Sequence, residues 1–181
     1  LLNALELSEK KIGDVKIVVS GAGAAAISCT KLYRAFGANV DNIVMLDSKG
    51  VIRKDRKNLS DEKKEFATSR NISTLEEAVI DSDVFIGLSK PDILTTEMLL
   101  AMAKNPIVFA MANPDPEIKY DLACKTRDDI IMATGSIGTY LSTNLTLDAL
   151  QGNHIGESQH DDPGDEYNDT GLTMVNTEFE S

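Results

Sequence analysis

The sequence predicts a doubly wound α/β fold, a mainly parallel sheet with helices on both faces. Three observations predict it. Short apolar runs recur along the chain, at Val15–Ser20, Asn42–Asp47, Val84–Leu88, Ile107–Met111 and Asp129–Thr134. Segments with helical spacing separate them, and that alternation implies βαβ crossovers. The first run also passes straight into Gly21-Ala22-Gly23-Ala24-Ala25-Ala26, a G-x-G-x-x-A turn that opens a helix. The connections are short and the strands too few for a closed barrel.

Each element has its own warrant. Leu1, Leu2 and Leu5 are helically spaced, and Gly13-Asp14 ends that segment. The helix after the glycine turn runs from about Gly23 to Phe36, with Ala25, Cys29, Leu32 and Phe36 on one face and Gly37 placed to cap it. Ile43-Val44-Met45-Leu46 is apolar without interruption, as expected of a strand covered on both faces. A basic, polar connection follows over Ser48–Ser60. Asp61–Thr68 and Thr74–Asp81 read as helices, the second with a capping box of Thr74 and Glu77. Thr95–Lys104 reads as a helix with a threonine near its cap, and Pro116–Lys125 as a weaker one.

Composition narrows the function. The 181 residues carry 18 Lys and Arg against 29 Asp and Glu, a net charge of −11. All 18 basic residues fall within 1–127, where 18 acidic ones balance them. The excess negative charge therefore lies entirely after Arg127, which argues against a nucleic-acid surface. No apolar run approaches the ~18 residues of a membrane span. The chain starts at Leu1 without a basic leader, inside an apparent helix, so it reads as an unsecreted piece of a longer protein. Cys29 and Cys124 form no C-x-x-C pair and are expected as reduced, buried thiols of a cytoplasmic protein. Asn71-Ile72-Ser73 and Asn144-Leu145-Thr146 are glycosylation sequons by pattern only. A domain is expected over residues 1–150, followed over 151–181 by an acidic, disordered tail rich in Gly, Asp, Glu, Asn, Ser and Thr.

The glycine turn carries the first functional reading. Gly21 can take the tight turn, Gly23 lets a diphosphate approach the backbone, and Ala26 is small enough for close helix–strand packing. The helix start then offers free N–H groups and the positive end of its dipole. Asp47 ends the second strand 26 residues after Gly21, where an acidic residue can accept from the adenosine ribose. It would repel a 2′-phosphate, yet Lys49, Arg53, Lys54 and Arg56 follow and could neutralise one. Their plain alternatives are a turn residue and a solvated loop. Gly87-Leu88-Ser89 and Ala112-Asn113-Pro114-Asp115-Pro116-Glu117 end the third and fourth strands, at the edge where open α/β sheets bind ligands. Asn113 could hold a nicotinamide carboxamide or a substrate carboxylate, or simply form a turn. His154 and His160 lie in the acidic tail without supporting context, and no metal-binding or nucleophile motif is present.

Taken together, these residues resemble the cofactor-binding half of a bacterial-type malic enzyme. The resemblance rests on Leu1–Leu5, Val18–Ile27, Asp47–Ile52, Asp83–Ser89, Phe109–Ile118 and Ala133–Gly135, about three quarters of the chain. It implies a Rossmann-type sheet, NAD or NADP as cofactor, and oxidative decarboxylation of malate to pyruvate and CO2. Mg2+ or Mn2+ would serve as Lewis acid in the complete, homo-oligomeric enzyme. Residue by residue, Gly21, Ala22, Gly23, Ala24, Ala25 and Ala26 would hold the diphosphate, Asp47 the ribose, and Asn113 the nicotinamide or malate end. The family's catalytic tyrosine and lysine and its metal carboxylates precede the position matching Leu1, so no catalytic or metal residue is assigned. The chain alone is expected not to turn over malate. After Gly135 the match breaks, and Asn144 falls near a malate-binding asparagine pair without matching neighbours. Two other readings stay open, a non-catalytic nucleotide-binding or assembly module and the cofactor domain of another dehydrogenase. The Asn113–Pro116 run argues against the last.

Overall fold

A computed structural model describes residues 1–135. The expected acidic tail, Asn144, His154 and His160 fall outside the described residues. The elements in chain order are α1 (Leu2–Leu7), β1 (Ile17–Ser20), α2 (Ala24–Ala35), a 3-10 turn (Val40–Asn42), β2 (Ile43–Asp47) and β3 (Gly50–Val51). Then come α3 (Asp61–Lys64), α4 (Leu75–Val79), β4 (Val84–Gly87), α5 (Thr96–Ala101), β5 (Ile107–Ala110), α6 (Tyr120–Thr126) and β6 (Ile131–Thr134).

The strands form one sheet in the order β3-β2-β1-β4-β5-β6, parallel except for β3. Side chains alternate along each strand and build a separate core on each face. Ile17, Val19, Ile43, Met45, Val84, Ile86, Ile107 and Phe109 join Ala4, Leu5, Ala26, Ile27 and Phe66 on one face. Val18, Val44, Leu46, Phe85, Val108 and Ala110 join Val79, Met98, Leu99, Ile118 and Ala123 on the other. Helices α1 and α2 thus cover one side, and α4, α5 and α6 cover the other. This is the doubly wound arrangement that the alternating strands and helices predict. Because both faces are covered, β1, β4 and β5 are buried along their whole length, and Ser20 is the one polar residue among them.

Four expectations need correction. The sheet has six strands, not five, because β3 pairs antiparallel with the end of β2, Leu46 with Val51 and Asp47 with Gly50. Two residues are too few for a periodic signal. The helix expected over Asp61–Thr68 ends at Lys64, since the Thr68 backbone is drawn into ladder bonds with Ile52 and Lys54 beside a parallel bridge to Arg53. The helix expected from Pro116 begins only at Tyr120, because the Pro116 and Glu117 carbonyls accept from the Asp92 and Leu94 N–H groups and hold that stretch out of helix. Cys29 and Cys124 are free as expected, but half-buried rather than buried, because the inward positions of their helices are taken by Ala26, Ile27 and Thr30 in α2 and by Ala123 in α6. The capping box forms as read, with the Thr74 hydroxyl accepting from Glu77 N–H and the Glu77 carboxylate from Thr74 N–H.

Arg127 closes the sheet's far side. Its guanidinium donates to the Leu99, Met102 and Ala103 carbonyls at 3.0, 3.1 and 3.0 Å, satisfying the end of α5. It also grips Asp129 through two bonds of 2.8 and 2.7 Å. The Arg127 bond, aided by Asn105 N–H and outweighing partial burial, lowers the Asp129 carboxyl from 3.8 to about 2. A carboxyl lowered in the folded state stabilises it fully above the unfolded value and loses that effect as pH falls through the folded one. Asp129→Asn should therefore cost on the order of 2 kcal/mol in urea unfolding at neutral pH. Its deficit should shrink between about pH 4 and pH 2. A deficit that does not change over this interval would contradict the assignment.

Candidate dinucleotide site

The parallel register brings the ends of β1, β2, β4 and β5 to one edge of the sheet. Ser20 pairs with Leu46 on one side and Gly87 on the other, and Gly87 pairs with Ala110. Chain order reverses between β1 and β4, and that reversal opens a crevice outside the strand ends. The glycine turn lies at this point. Gly21 N–H donates to the Leu46 carbonyl at 2.9 Å, anchoring the turn to β2. On its other side a Cβ on Gly21 would stand 2.7 Å from the Leu88 carbonyl oxygen, and its φ is +126°. Both facts require glycine.

Gly23 differs. It has φ −82° and ψ 180° as the N-cap of α2, and a Cβ there would meet nothing within 4 Å. No side chain caps α2, so the N–H groups of its first turn face that same open space. Ala22 packs half-buried against the core, Ala24 and Ala25 face outward, and Ala26 is buried where α2 meets β1. The fit for a diphosphate is therefore local: bare backbone, unpaired donors and room.

Asp47 lies next to Gly21 across the β1–β2 ladder. Its carboxylate is already engaged at four points. Oδ1 accepts from Lys49 N–H at 2.9 Å and Arg56 Nη1 at 3.0 Å, and Oδ2 accepts from Arg56 Nη2 and Lys63 Nζ, both at 3.0 Å. Burial alone would raise the Asp47 carboxyl, but the Arg56, Lys49 and Lys63 hydrogen bonds and the Arg56 charge together hold it at about 2. Around it opens a cleft of about 350 Å3 whose lining includes Lys49, Arg56, Lys57 and Lys63, four cations about one carboxylate. Arg53 turns away to Asp55 and Asn71. Asn113 stands exposed just beyond β5, two strands along the edge from Gly21, about 10 Å at ordinary strand spacing.

The structure thus brings the glycine turn and Asp47 together and sets Asn113 further along the same edge. Sequence reasoning missed Lys63, which reaches Asp47 from α3, 16 residues away. It also missed Glu117, which is fully buried. Lys63 stands in no motif, and Glu117 entered only as the last residue of the Ala112–Glu117 run, without a role; only the fold shows what each one meets. Among the described residues, no group of three or more His, Cys, Asp and Glu is placed to hold a metal ion. No helix among them is long and apolar enough to cross a membrane.

A doubly wound sheet with a glycine turn at its switch point and an acidic residue at the end of β2 defines a dinucleotide-binding domain. The chain belongs to the malic enzyme family: residues 1–155 match the model of the malic enzyme NAD binding domain. It is 52% identical over 135 residues to an NADP-dependent malic enzyme of Halomonas elongata, covering 75% of this chain and 32% of that one. It is 46% identical over 137 residues to an NADP-dependent malic enzyme of Escherichia coli, covering 75% of this chain and 18% of that protein. Among solved structures, the NAD-dependent malic enzyme of Thermotoga maritima superposes with a TM-score of 0.68 at 37% identity, over 76% of this chain and 37% of that one. The malic enzyme of Entamoeba histolytica gives the same TM-score at 34% identity, over 76% and 30%. The chain spans about a third or less of the length of these curated relatives.

Two substitutions separate turn from ligand. Gly21→Ala should destabilise the fold by about 2 kcal/mol or more, since its backbone conformation and the Leu88 carbonyl both resist a methyl group. Gly23→Ala should leave the unfolding midpoint unchanged while weakening dinucleotide binding tenfold or more, about 1.4 kcal/mol. Calorimetric titration beside thermal melts checks both. Undiminished binding by Gly23→Ala would move the diphosphate elsewhere.

Proposed function

We propose that this chain is the cofactor-binding part of an enzyme that oxidatively decarboxylates malate to pyruvate and CO2, and that it binds NADP in preference to NAD. The observation that carries the preference is the charge around Asp47. A lone carboxylate at the end of β2 would repel a 2′-phosphate, but here Arg56 and Lys63 neutralise it and Lys49 and Lys57 add further positive charge to the cleft. The NADP dependence named for the Halomonas and E. coli relatives supports the same reading. A relative from Rhizobium meliloti, 42% identical over 136 residues, and the Thermotoga structure are named for NAD.

On this reading Gly21 to Ala26 take the diphosphate against the start of α2, and Asn113 takes the nicotinamide or malate end. Asp47 stands at the ribose. All four of its acceptor positions are in use, so a ribose hydroxyl reaching it would exchange for the Lys63 ammonium and free that cation for the 2′-phosphate. When bound, the nicotinamide supplies a hydride acceptor; the residues of this chain bind and orient it. Proton transfer and the Mg2+ or Mn2+ that would polarise the ketone belong to parts of the relatives that this chain does not span. The complete enzyme is a cytoplasmic homo-oligomer on the same reading, supported by the family resemblance and the free thiols.

Replacing both Lys49 and Lys57 by Gln should weaken NADP binding by about 1–2 kcal/mol, as expected for lost charge-assisted contacts near solvent, and leave NAD within twofold. Equal losses for both dinucleotides, or tighter NAD than NADP in the unsubstituted chain, would overturn the preference. Malate-dependent NADP reduction by this chain with Mn2+ should be undetectable. Robust turnover would show that it carries its own acid–base and metal groups.

A further inference from the structure

Glu117 is fully buried, yet its hydrogen-bond partners among the described residues are main-chain N–H groups rather than a cation. Oε1 accepts from Ser89 N–H at 3.1 Å and Oε2 from Ala112 N–H at 2.9 Å. One carboxylate therefore ties together the segments that leave β4 and β5. The Glu117 carbonyl adds a third tie, accepting from Leu94 N–H at 3.0 Å. Space has been left for the group: a Cβ on Gly87 would collide with the Glu117 carboxyl carbon. Gly87 and Glu117 are a matched pair, one giving up its side chain so that the other can reach the edge of the sheet.

What the carboxylate fixes faces the dinucleotide crevice on both sides. Ser89 follows Leu88, whose carbonyl is the wall against which the Gly21 turn is pressed. The Ser89 hydroxyl also lies 2.9 Å from that of Ser20, the last residue of β1. Ala112 precedes Asn113. A buried charge whose partners among the described residues include no cation is an expensive way to hold a core together, and an apolar side chain of similar size would serve packing better. What a carboxylate offers instead is two acceptors at a fixed separation, able to set two backbone segments at a defined distance. Burial pushes the Glu117 carboxyl up, and the bonds from Ala112 and Ser89 oppose that push only in part.

Resting on the dinucleotide reading above, we propose that Glu117 is the positioning residue for the nicotinamide half of the cofactor, holding the Leu88–Ser89 and Ala112–Asn113 segments at the spacing that half requires. The adenosine half, bound around Asp47 on the opposite side of β1, does not depend on it.

The test compares two ligands on the 181-residue chain by calorimetry: NADP, and 2′,5′-ADP, which carries the adenine, ribose and both phosphates of the adenosine half but no nicotinamide. Glu117→Gln keeps the shape but offers one acceptor and one N–H2 donor, so one of the two backbone N–H groups meets a donor. The expected result is a tenfold or greater loss of NADP affinity with 2′,5′-ADP within twofold. Glu117→Asp keeps both acceptors but withdraws them by one methylene. It should show the same split, and it carries the comparison should Glu117→Gln not fold. Parallel loss of both ligands would make Glu117 a purely structural residue and overturn the proposal, as would unchanged NADP affinity. Failure of the unsubstituted chain to bind either ligand would overturn the dinucleotide reading itself.

Discussion

The approach of Gly21 to the Leu88 carbonyl is the constraint on which the rest of the site depends. It joins the end of β1 to the end of β4 at the one place where the order of the sheet reverses. If the two backbones could not touch there, α2 would not start where it does, and its unpaired N–H groups would not face the crevice. The price is a residue with positive φ and no side chain, and glycine is the residue that meets both conditions at little cost. Everything else along the edge is arranged relative to that contact: Asp47 one strand to one side, Glu117 and Asn113 one and two strands to the other.

Charge is distributed along this edge by burial. On the half-buried flank, Asp47 gathers Arg56 and Lys63 and leaves the cleft net positive. Solvent nearby keeps such an arrangement inexpensive, and the long lysines can move when an anion arrives. On the buried flank, the partners of the Glu117 carboxylate among the described residues are backbone dipoles, fixed in place by the ladder and the loops. The first is suited to attracting a phosphate of variable approach, the second to holding geometry. Two acidic residues of similar chemistry therefore serve different ends because one meets mobile cations and the other meets main-chain N–H groups.

The strands and the extent of α2 were legible in the sequence because their signals are local, although the face read from Ala25, Cys29, Leu32 and Phe36 is the outward one, and Ala26, Ile27 and Thr30 pack inward. Four-residue apolar runs between helical segments leave little alternative to a sheet covered on both faces, and the glycine turn announces its own conformation. The limits of the helices were less legible. The stretch from Pro116 has helical composition, but the Pro116 and Glu117 carbonyls are claimed by Asp92 and Leu94 from the preceding crossover, so the helix waits until Tyr120. The strand β3 escaped notice because two residues carry no period, and α3 ran short because Thr68 is claimed by Ile52 and Lys54.

The sequence alone determined the fold class, the place of the glycine turn and the kind of ligand it suits, since each depends on residues adjacent in the chain. It also carried the family, through runs spread over about three quarters of its length. Tertiary structure decided which charges meet. That Lys63 reaches Asp47 across 16 residues, and that Glu117 bridges Ser89 and Ala112 across 28 and 5, follows from how the crossovers fold over the strand ends. Pairing between distant side chains and backbone groups depends on three-dimensional proximity, which no local pattern encodes.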